Sequence, residues 1–291
     1  MPDIQRGIDH LVLCARDLEA ARAAYGSFGF TTTPPARHPF GTANSLVQLQ
    51  GSFLELIAVA DPAEIRQPLP GAFSFGQYIR KFLQRREGMS MLVFESRDAG
   101  ADQAEFLRKG IDTYDPFHFE RQAQLPDGQS VIVGFSLAFA TTPDMPEAVF
   151  FTCQQHAPQY FWKPEYQSHA NGARAISEIV MVAESPGHLA RFFARLQPPC
   201  AVSLDSKGLQ VVTSRGQITV ITTDAFMDRY GAPAHGPDTP YFAAYTILVA
   251  DLDATAAVLR GNDVKWRRRG ESIVIDAGTA FGALLEFTGE R

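Results

Sequence analysis

The chain of 291 residues is poor in cysteine and tryptophan and has no long apolar run, and each scarcity narrows what it can be. Its three cysteines, Cys14, Cys153 and Cys200, form an odd set with no close pair. Such a set fits neither a disulfide framework nor a thiolate zinc site, so buried thiols are expected. The longest apolar stretches, such as residues 11–15 and 176–183, fall far short of the roughly 20 residues that a membrane span needs. No transmembrane segment and no membrane partner are therefore expected. The opening Met-Pro-Asp-Ile-Gln-Arg-Gly has no basic stretch followed by an apolar core, so a secretory leader is not expected and a cytoplasmic location follows by default. Dinucleotide and phosphate-loop glycine patterns are missing, as is a Gly-x-Ser-x-Gly nucleophile elbow. The net charge of −6 is mild. Positive charge is dense only over residues 265–269, which reads as the solvated face of a strand, and nucleic acid is not an expected partner.

What is present is a core-forming composition, 45% apolar, enough for one large or two medium domains. Its organisation is a recurring order of elements. A strand over residues 8–13 leads to Asp17, an N-cap for a helix with Leu18, Ala21, Tyr25 and Phe28 on one face, closed by Gly29; strands over 44–50 and 53–60 follow. The order returns as a strand over 89–95, a helix over 98–109 and strands over 130–140 and 149–155. A third unit opens at 176–183, has Ser185 and Pro186 at the start of its helix, and ends in strands at 210–214 and 217–222. The fourth runs through strands at 245–249, 272–276 and 283–287, with a helix capped by Asp251. Paired strands after each helix favour antiparallel hairpins over a doubly wound parallel sheet. The fold class expected is α+β, with βαβββ units forming curved, mixed or antiparallel half-barrel sheets and helices outside. Two units fill residues 1–157, an aromatic linker fills 158–172, and two more units fill 173–291.

His10 on the first strand and Glu55 on the last strand of the first unit sit among apolar neighbours. A carboxylate inside Ser-Phe-Leu-Glu-Leu-Ile carries a large desolvation cost unless it faces solvent, pairs with a cation or binds a metal. Imidazole with carboxylate suits Zn, Fe, Mn or Ni without selecting among them. The plainer reading makes His10 a hydrogen-bonded core residue and puts Glu55 on an outer face.

The run Ile-Asp-His-Leu-Val-Leu-Cys-Ala-Arg-Asp-Leu-Glu-Ala-Ala, with Phe-Leu-Glu-Leu after it, resembles the opening unit of the vicinal oxygen chelate superfamily, which includes glyoxalase, bleomycin-resistance and extradiol dioxygenase relatives. Residues 37–44, Arg-His-Pro-Phe-Gly-Thr-Ala-Asn, resemble its glyoxalase-like proteins with a Gly-Thr-x-Asn signature, and His169-Ala170-Asn171-Gly172 resembles a His-x-Asn-Gly motif of the same group. The resemblance implies a divalent metal held by His10 and Glu55, with Glu55 also able to carry a proton. Further ligands are expected from a partner unit, yet Met91 stands near the position matching His10. Gln154 or His156, on one face of the strand over 149–155 by alternation, is the candidate third ligand, with a capping or solvated His156 as the plain alternative. In the second half Glu178 and Glu286 take the places of His10 and Glu55, which suits a structural role better than a second metal.

His38, Asn44, Arg121, Trp162, His169 and Asn171 are the candidates for contacting a small-molecule substrate, because a pocket needs aromatic walls with a few polar groups. For residues 169–172 the alternative is an ordinary Asn-Gly turn. The function these readings imply is metal-dependent lyase or isomerase chemistry on a small oxygen-chelating substrate. Ring-cleaving dioxygenation and non-catalytic sequestration stay open, as does a homodimer. Against the former, the third and fourth units lack the histidines such dioxygenases use.

Overall fold

The computed structural model describes residues 5–124, 130–197 and 201–290, so Cys200 lies outside the described residues. The first half contains β1 (Ile8–Cys14), α1 (Leu18–Ser27), β2 (Ala36–Arg37), β3 (Thr42–Gln48), β4 (Phe53–Val59), α2 (Phe75–Arg85), β5 (Gly88–Glu95), α3 (Ala99–Arg108), β6 (Phe117–Gln124), β7 (Ser130–Ala140) and β8 (Val149–Gln155). A short α4 (Pro158–Phe161) leads to the second half. There follow β9 (Ala173–Val182), α5 (Ala190–Leu196), β10 (Val202–Asp205), β11 (Gly208–Val212), β12 (Gln217–Ile221), α6 (Thr223–Tyr230), β13 (Tyr241–Val249), α7 (Leu252–Gly261), β14 (Arg267–Arg269), β15 (Ser272–Ile275) and β16 (Leu284–Gly289). The four βαβββ units are thus present.

Each half is one eight-stranded sheet, ordered β2-β3-β4-β1-β5-β8-β7-β6 and β10-β11-β12-β9-β13-β16-β15-β14. The opening strands of paired units meet antiparallel, β1 with β5 and β9 with β13, and each lies parallel to the last strand of its own unit. The sheets are therefore mixed, and the αβ order does not produce a parallel sheet, because three strands follow each helix.

The caps act as their residue types require. Asp17, Asp98 and Asp251 accept hydrogen bonds from the backbone N–H groups of Ala20, Ala101 and Asp253 at the starts of α1, α3 and α7. Ser185 differs: its side chain makes no cap bond, and a 3-10 turn, Pro186–Leu189, comes before α5.

Strand alternation divides the side chains between two environments. Leu11, Leu13, Leu54 and Leu56 join Tyr25 of α1, Phe106 of α3, Phe193 of α5, Leu259 of α7 and the outward side of the second sheet in one core shared by the halves. The inner face of the first sheet forms a second core, with Val12, Met91, Phe135 and Phe151 under Ile79 and Phe82 of α2. On the other sheet, Phe226 and Tyr230 of α6 cover Val180, Val182 and Tyr241. Among the described residues, no helix is long and apolar enough to cross a membrane. Cys14 and Cys153 are buried free thiols, and the basic run at 267–269 is an exposed edge strand paired with Asp276 and Asp253.

Candidate active site

The first strand carries an irregularity at the point where chemistry is concentrated. In the β1–β5 ladder Ile8 pairs with Phe94 and His10 with Val93, which leaves Asp9 unpaired in a bulge. A bulge rotates side chains off strict alternation. Asp9 and His10 consequently meet, and His10 Nδ1–H donates to Asp9 Oδ2 at 2.6 Å. With Nδ1 committed as donor, the neutral ring presents Nε2 as an acceptor. The ring lies on Phe53, centroids 4.2 Å apart, and its Nε2 stands 3.8 Å from Glu55 Oε2.

The segment at 37–44 holds the other side of Glu55. Gly41 has φ +81°, and a Cβ there would sit 2.5 Å from the carbonyl oxygen of Asp61, so only glycine lets the chain turn into β3. The next residue, Thr42, places its Oγ1 2.8 Å from His38 Nδ1. Two residues on, and on the same face, Asn44 Nδ2–H donates to Glu55 Oε1 at 2.5 Å. His38 Nε2 lies 3.9 Å from that same oxygen. The Gly-Thr-x-Asn pattern thus couples a turn, a histidine anchor and a carboxylate anchor at fixed strand spacing.

These polar groups open into a cavity of about 50 Å³. Its walls are mostly aromatic, including Phe40, Phe75 of α2, Phe119, Phe135, Phe151 and Phe161, and Arg121 of β6 enters it with His10, His38, Asn44 and Glu55. Burial governs the electrostatics. It raises the proton affinity of Glu55, against the opposing pull of His10, Asn44 and Arg121. Burial and then the Arg121 charge drive His38 down to about 3, so it is neutral at pH 7. Burial also lowers the Arg121 value, with the Glu55 charge opposing. Cys153 lines the same cavity, but burial holds its thiol well above the ordinary range, which leaves it protonated and poor as a nucleophile or ligand.

Five sequence candidates therefore converge: His10, Glu55, His38, Asn44 and Arg121. Five do not. Gln154 accepts from the Ala99 backbone N–H at the start of α3, and His156 bonds Ser136 near His118 beyond the end of β8. The alternation that groups them is real, but the inner face of β8 belongs to Phe151 and Cys153. The linker does fold back over the first half: Gln48 holds both the Phe161 carbonyl and the Lys163 N–H, and Phe161 walls the cavity. Trp162 instead packs behind that wall on Phe53 and Phe161. His169 takes a hydrogen bond from the Thr31 N–H at Nδ1, and its Nε2–H donates to the Gln48 carbonyl, so no ring nitrogen is free for a ligand. Asn171 donates to the Phe28 carbonyl and accepts from the Ala173 N–H, the turn role. Asp9 and the phenylalanine walls escaped the sequence reading. The adjacent Asp-His pair and the alternating Phe117 and Phe119 were the available signals.

The second half holds no comparable opening among its matching residues. Arg229 of α6 forks onto Glu178, with Nη1 at 3.0 Å from Oε1 and Nη2 at 2.5 Å from Oε2, and reaches Glu286 at 3.5 Å. A guanidinium occupies the place between the two carboxylates that a cation would take.

A divalent metal does not fit the first-half donors well. His10 Nε2 and Glu55 converge, but Met91 and Phe151 supply the neighbouring inner-face positions of the second unit, and Glu55 Oε1 already accepts from Asn44. Among the described residues, no group of three or more His, Cys, Asp and Glu side chains could hold a metal ion. A fixed cation, Arg121, already faces the carboxylate.

Comparison with known proteins agrees with the fold. The chain spans, at 11% identity and a TM-score of 0.65, 98% of its own length and 100% of a hypothetical protein from Staphylococcus aureus. It is similar to a mutant of 4-hydroxymandelate synthase from Streptomyces coelicolor, at 11% identity and TM-score 0.57, over 99% of this chain and 93% of that one. A fusion protein of a xylose isomerase-like TIM barrel and 4-hydroxyphenylpyruvate dioxygenase matches at 10% identity and TM-score 0.56, over 99% of this chain and 49% of that one. No curated protein matches. The family model described as a glyoxalase-like domain matches residues 8–197, which span both units of the first sheet and the start of the second. The chain belongs to this glyoxalase-like domain family, as its resemblance to the vicinal oxygen chelate superfamily implied.

Proposed function

We propose that the protein is an enzyme that moves a proton next to a carbonyl of a small oxygen-bearing substrate, isomerase or lyase chemistry, in the first-half cavity. The observation that carries this reading is His10, held by Asp9, with its free Nε2 facing a buried Glu55 at 3.8 Å. An acid and a base whose environments differ are what proton transfer requires. His10 Nε2 takes the proton as a substrate C–H bond breaks, and the electron pair moves onto the carbonyl oxygen. Glu55, whose proton affinity burial raises, returns a proton to the product, and His10 and Glu55 then exchange protons with solvent to restore the starting pair. Arg121 provides positive charge for the developing enolate oxygen. Asn44 keeps the Glu55 carboxyl in place.

The test is solvent exchange. Small ketones and 2-oxo acids are incubated with the protein in D2O, and loss of the α-proton signals is followed by proton NMR. Exchange at least ~100-fold above buffer is expected for a member of the panel, with loss of the effect in His10→Ala and Glu55→Gln. No exchange above buffer across the panel refutes the reading.

A further inference from the structure

We infer that Arg121 is an anion anchor and that the cavity takes a short monocarboxylate. This rests on the proposed proton transfer for its chemistry but on separate observations for recognition. Arg121 lines the cavity and, among the described residues, makes no hydrogen bond or ion pair. A guanidinium presents N–H groups in a planar fork that matches a carboxylate. Glu55 acts on this guanidinium through its charge without bonding to it, and partly buried N–H groups left unbonded are costly, so their retention points to a ligand that completes them.

The surroundings favour an anion over a second cation or a neutral ligand. Glu55 is the one carboxylate among the lining residues, and its Oε1 already accepts from Asn44, so the guanidinium keeps N–H groups for a further acceptor. The remaining walls are aromatic and aliphatic, which suits a ligand with a single charged end. Size bounds the rest: about 50 Å³ accommodates roughly three water-sized groups. Three waters fill about 90 Å³ at their liquid share, room for a carboxylate on Arg121 and about three further bonded heavy atoms near His10 and Glu55. Pyruvate has these dimensions and an enolisable methyl group.

Pyruvate and its neutral isostere pyruvamide are titrated into the full-length protein, with binding read by calorimetry and ligand-observed NMR. Wild type is expected to bind pyruvate at least ~10-fold more tightly than pyruvamide, and Arg121→Met to lose that difference while Arg121→Lys keeps part of it. Circular dichroism and thermal unfolding confirm that both variants are folded. Equal affinity for the two ligands, unchanged pyruvate affinity in Arg121→Met, or no saturable pyruvate binding by wild type overturns the inference. The methyl signal in D2O separates this from the catalytic reading. Arg121-dependent binding without exchange sustains the anchor and removes proton transfer on pyruvate. Exchange that is equally fast in Arg121→Met removes the anchor and the assignment of Arg121 to the enolate oxygen, and leaves His10 and Glu55 as the proton-transfer pair.

Discussion

Asn44 and Glu55, diagonal neighbours on one face of the β3–β4 pair and two residues out of direct register, join through a 2.5 Å hydrogen bond that fixes a carboxyl in an apolar cavity. The arrangement raises the proton affinity of that carboxyl, because burial outweighs the nearby His10 and Arg121 charges and the Asn44 bond. A raised folded value contributes stability that is fully present below the unfolded carboxylate value and is lost as pH rises through the folded one. Glu55→Gln should remove that loss. Urea unfolding is expected to show the variant gaining on wild type by on the order of 1 kcal/mol between pH 4.5 and 8, with little difference at pH 4. A variant less stable than wild type at pH 8 would show that the ionised carboxylate is the stabilised form.

The donor set leads to a second expectation. With His10 and Glu55 converging but no group of three metal-binding side chains among the described residues, a metal should contribute little to folding. Ligands that bind only the native state raise its stability in proportion to occupancy. Dialysis against a chelator, followed by additions of Zn²⁺, Mn²⁺ or Ni²⁺ at 100 μM, should move the thermal midpoint by less than ~2 °C. A larger rise, absent in His10→Ala, would indicate a metal site completed by solvent or by residues not described here.

His169 acts as a clamp between the linker and the first half, with Thr31 and Gln48 as its partners. His169→Ala should cost about 2 kcal/mol, since it strands one N–H and one carbonyl, and should leave pyruvate affinity unchanged. Burial lowers the His169 value, outweighing the bond to Gln48. The depressed value makes the stabilisation complete above the unfolded histidine value of about 6.5 and lost as pH falls through the folded one. Wild-type stability should therefore drop below pH 6.5 more steeply than that of the alanine variant, as denaturant curves at pH 7.5, 6 and 5 would reveal.

How far the sequence could be read follows from where each element lies. The strands missed by periodicity are β2, β6, β10 and β14, and these are the four edges of the two sheets. An edge strand has one ladder and little burial: β2 has two residues, and β10 and β14 are largely exposed. Apart from the alternating Phe117 and Phe119 of β6, these strands carry little apolar alternation, so their partners specify them. Helices α2 and α6 were missed for another reason. They stand outside the repeating unit and cover the inner faces, so the repeat gave no reason to look for them. At the site, His10 and Glu55 were legible because polar residues interrupt apolar strands. The face of β8 was not, because Phe150, Phe151, Thr152 and Cys153 are all buried and alternation has no phase when both faces are covered. The bulge that turns Asp9 toward His10 leaves no sequence mark beyond the adjacency itself.

The second half offers the sharpest contrast with the first, since its two carboxylates are closed off by Arg229 rather than left facing an opening. Thr219 and Thr246 add hydrogen bonds to Glu178 and Glu286, which completes a network around one guanidinium. Removing the cation while keeping its bulk, as in Arg229→Met, leaves two carboxylates facing each other in a largely dry place. The cost should be about 2 kcal/mol at pH 7, reduced from that of a fully buried pair because Arg229 is about one-third exposed. Arg229 lowers the Glu178 value despite burial. That stabilisation is present above the unfolded carboxylate value of about 4.5 and is lost as pH falls through the folded one, so the penalty should shrink as the solution is acidified. Denaturant unfolding at pH 7 and pH 4 gives the comparison. A penalty that is the same at both pH values would mean that Arg229 acts by packing on Tyr230, over which its guanidinium lies at 5.0 Å from the ring centroid, and that charge neutralisation in the second half is incidental.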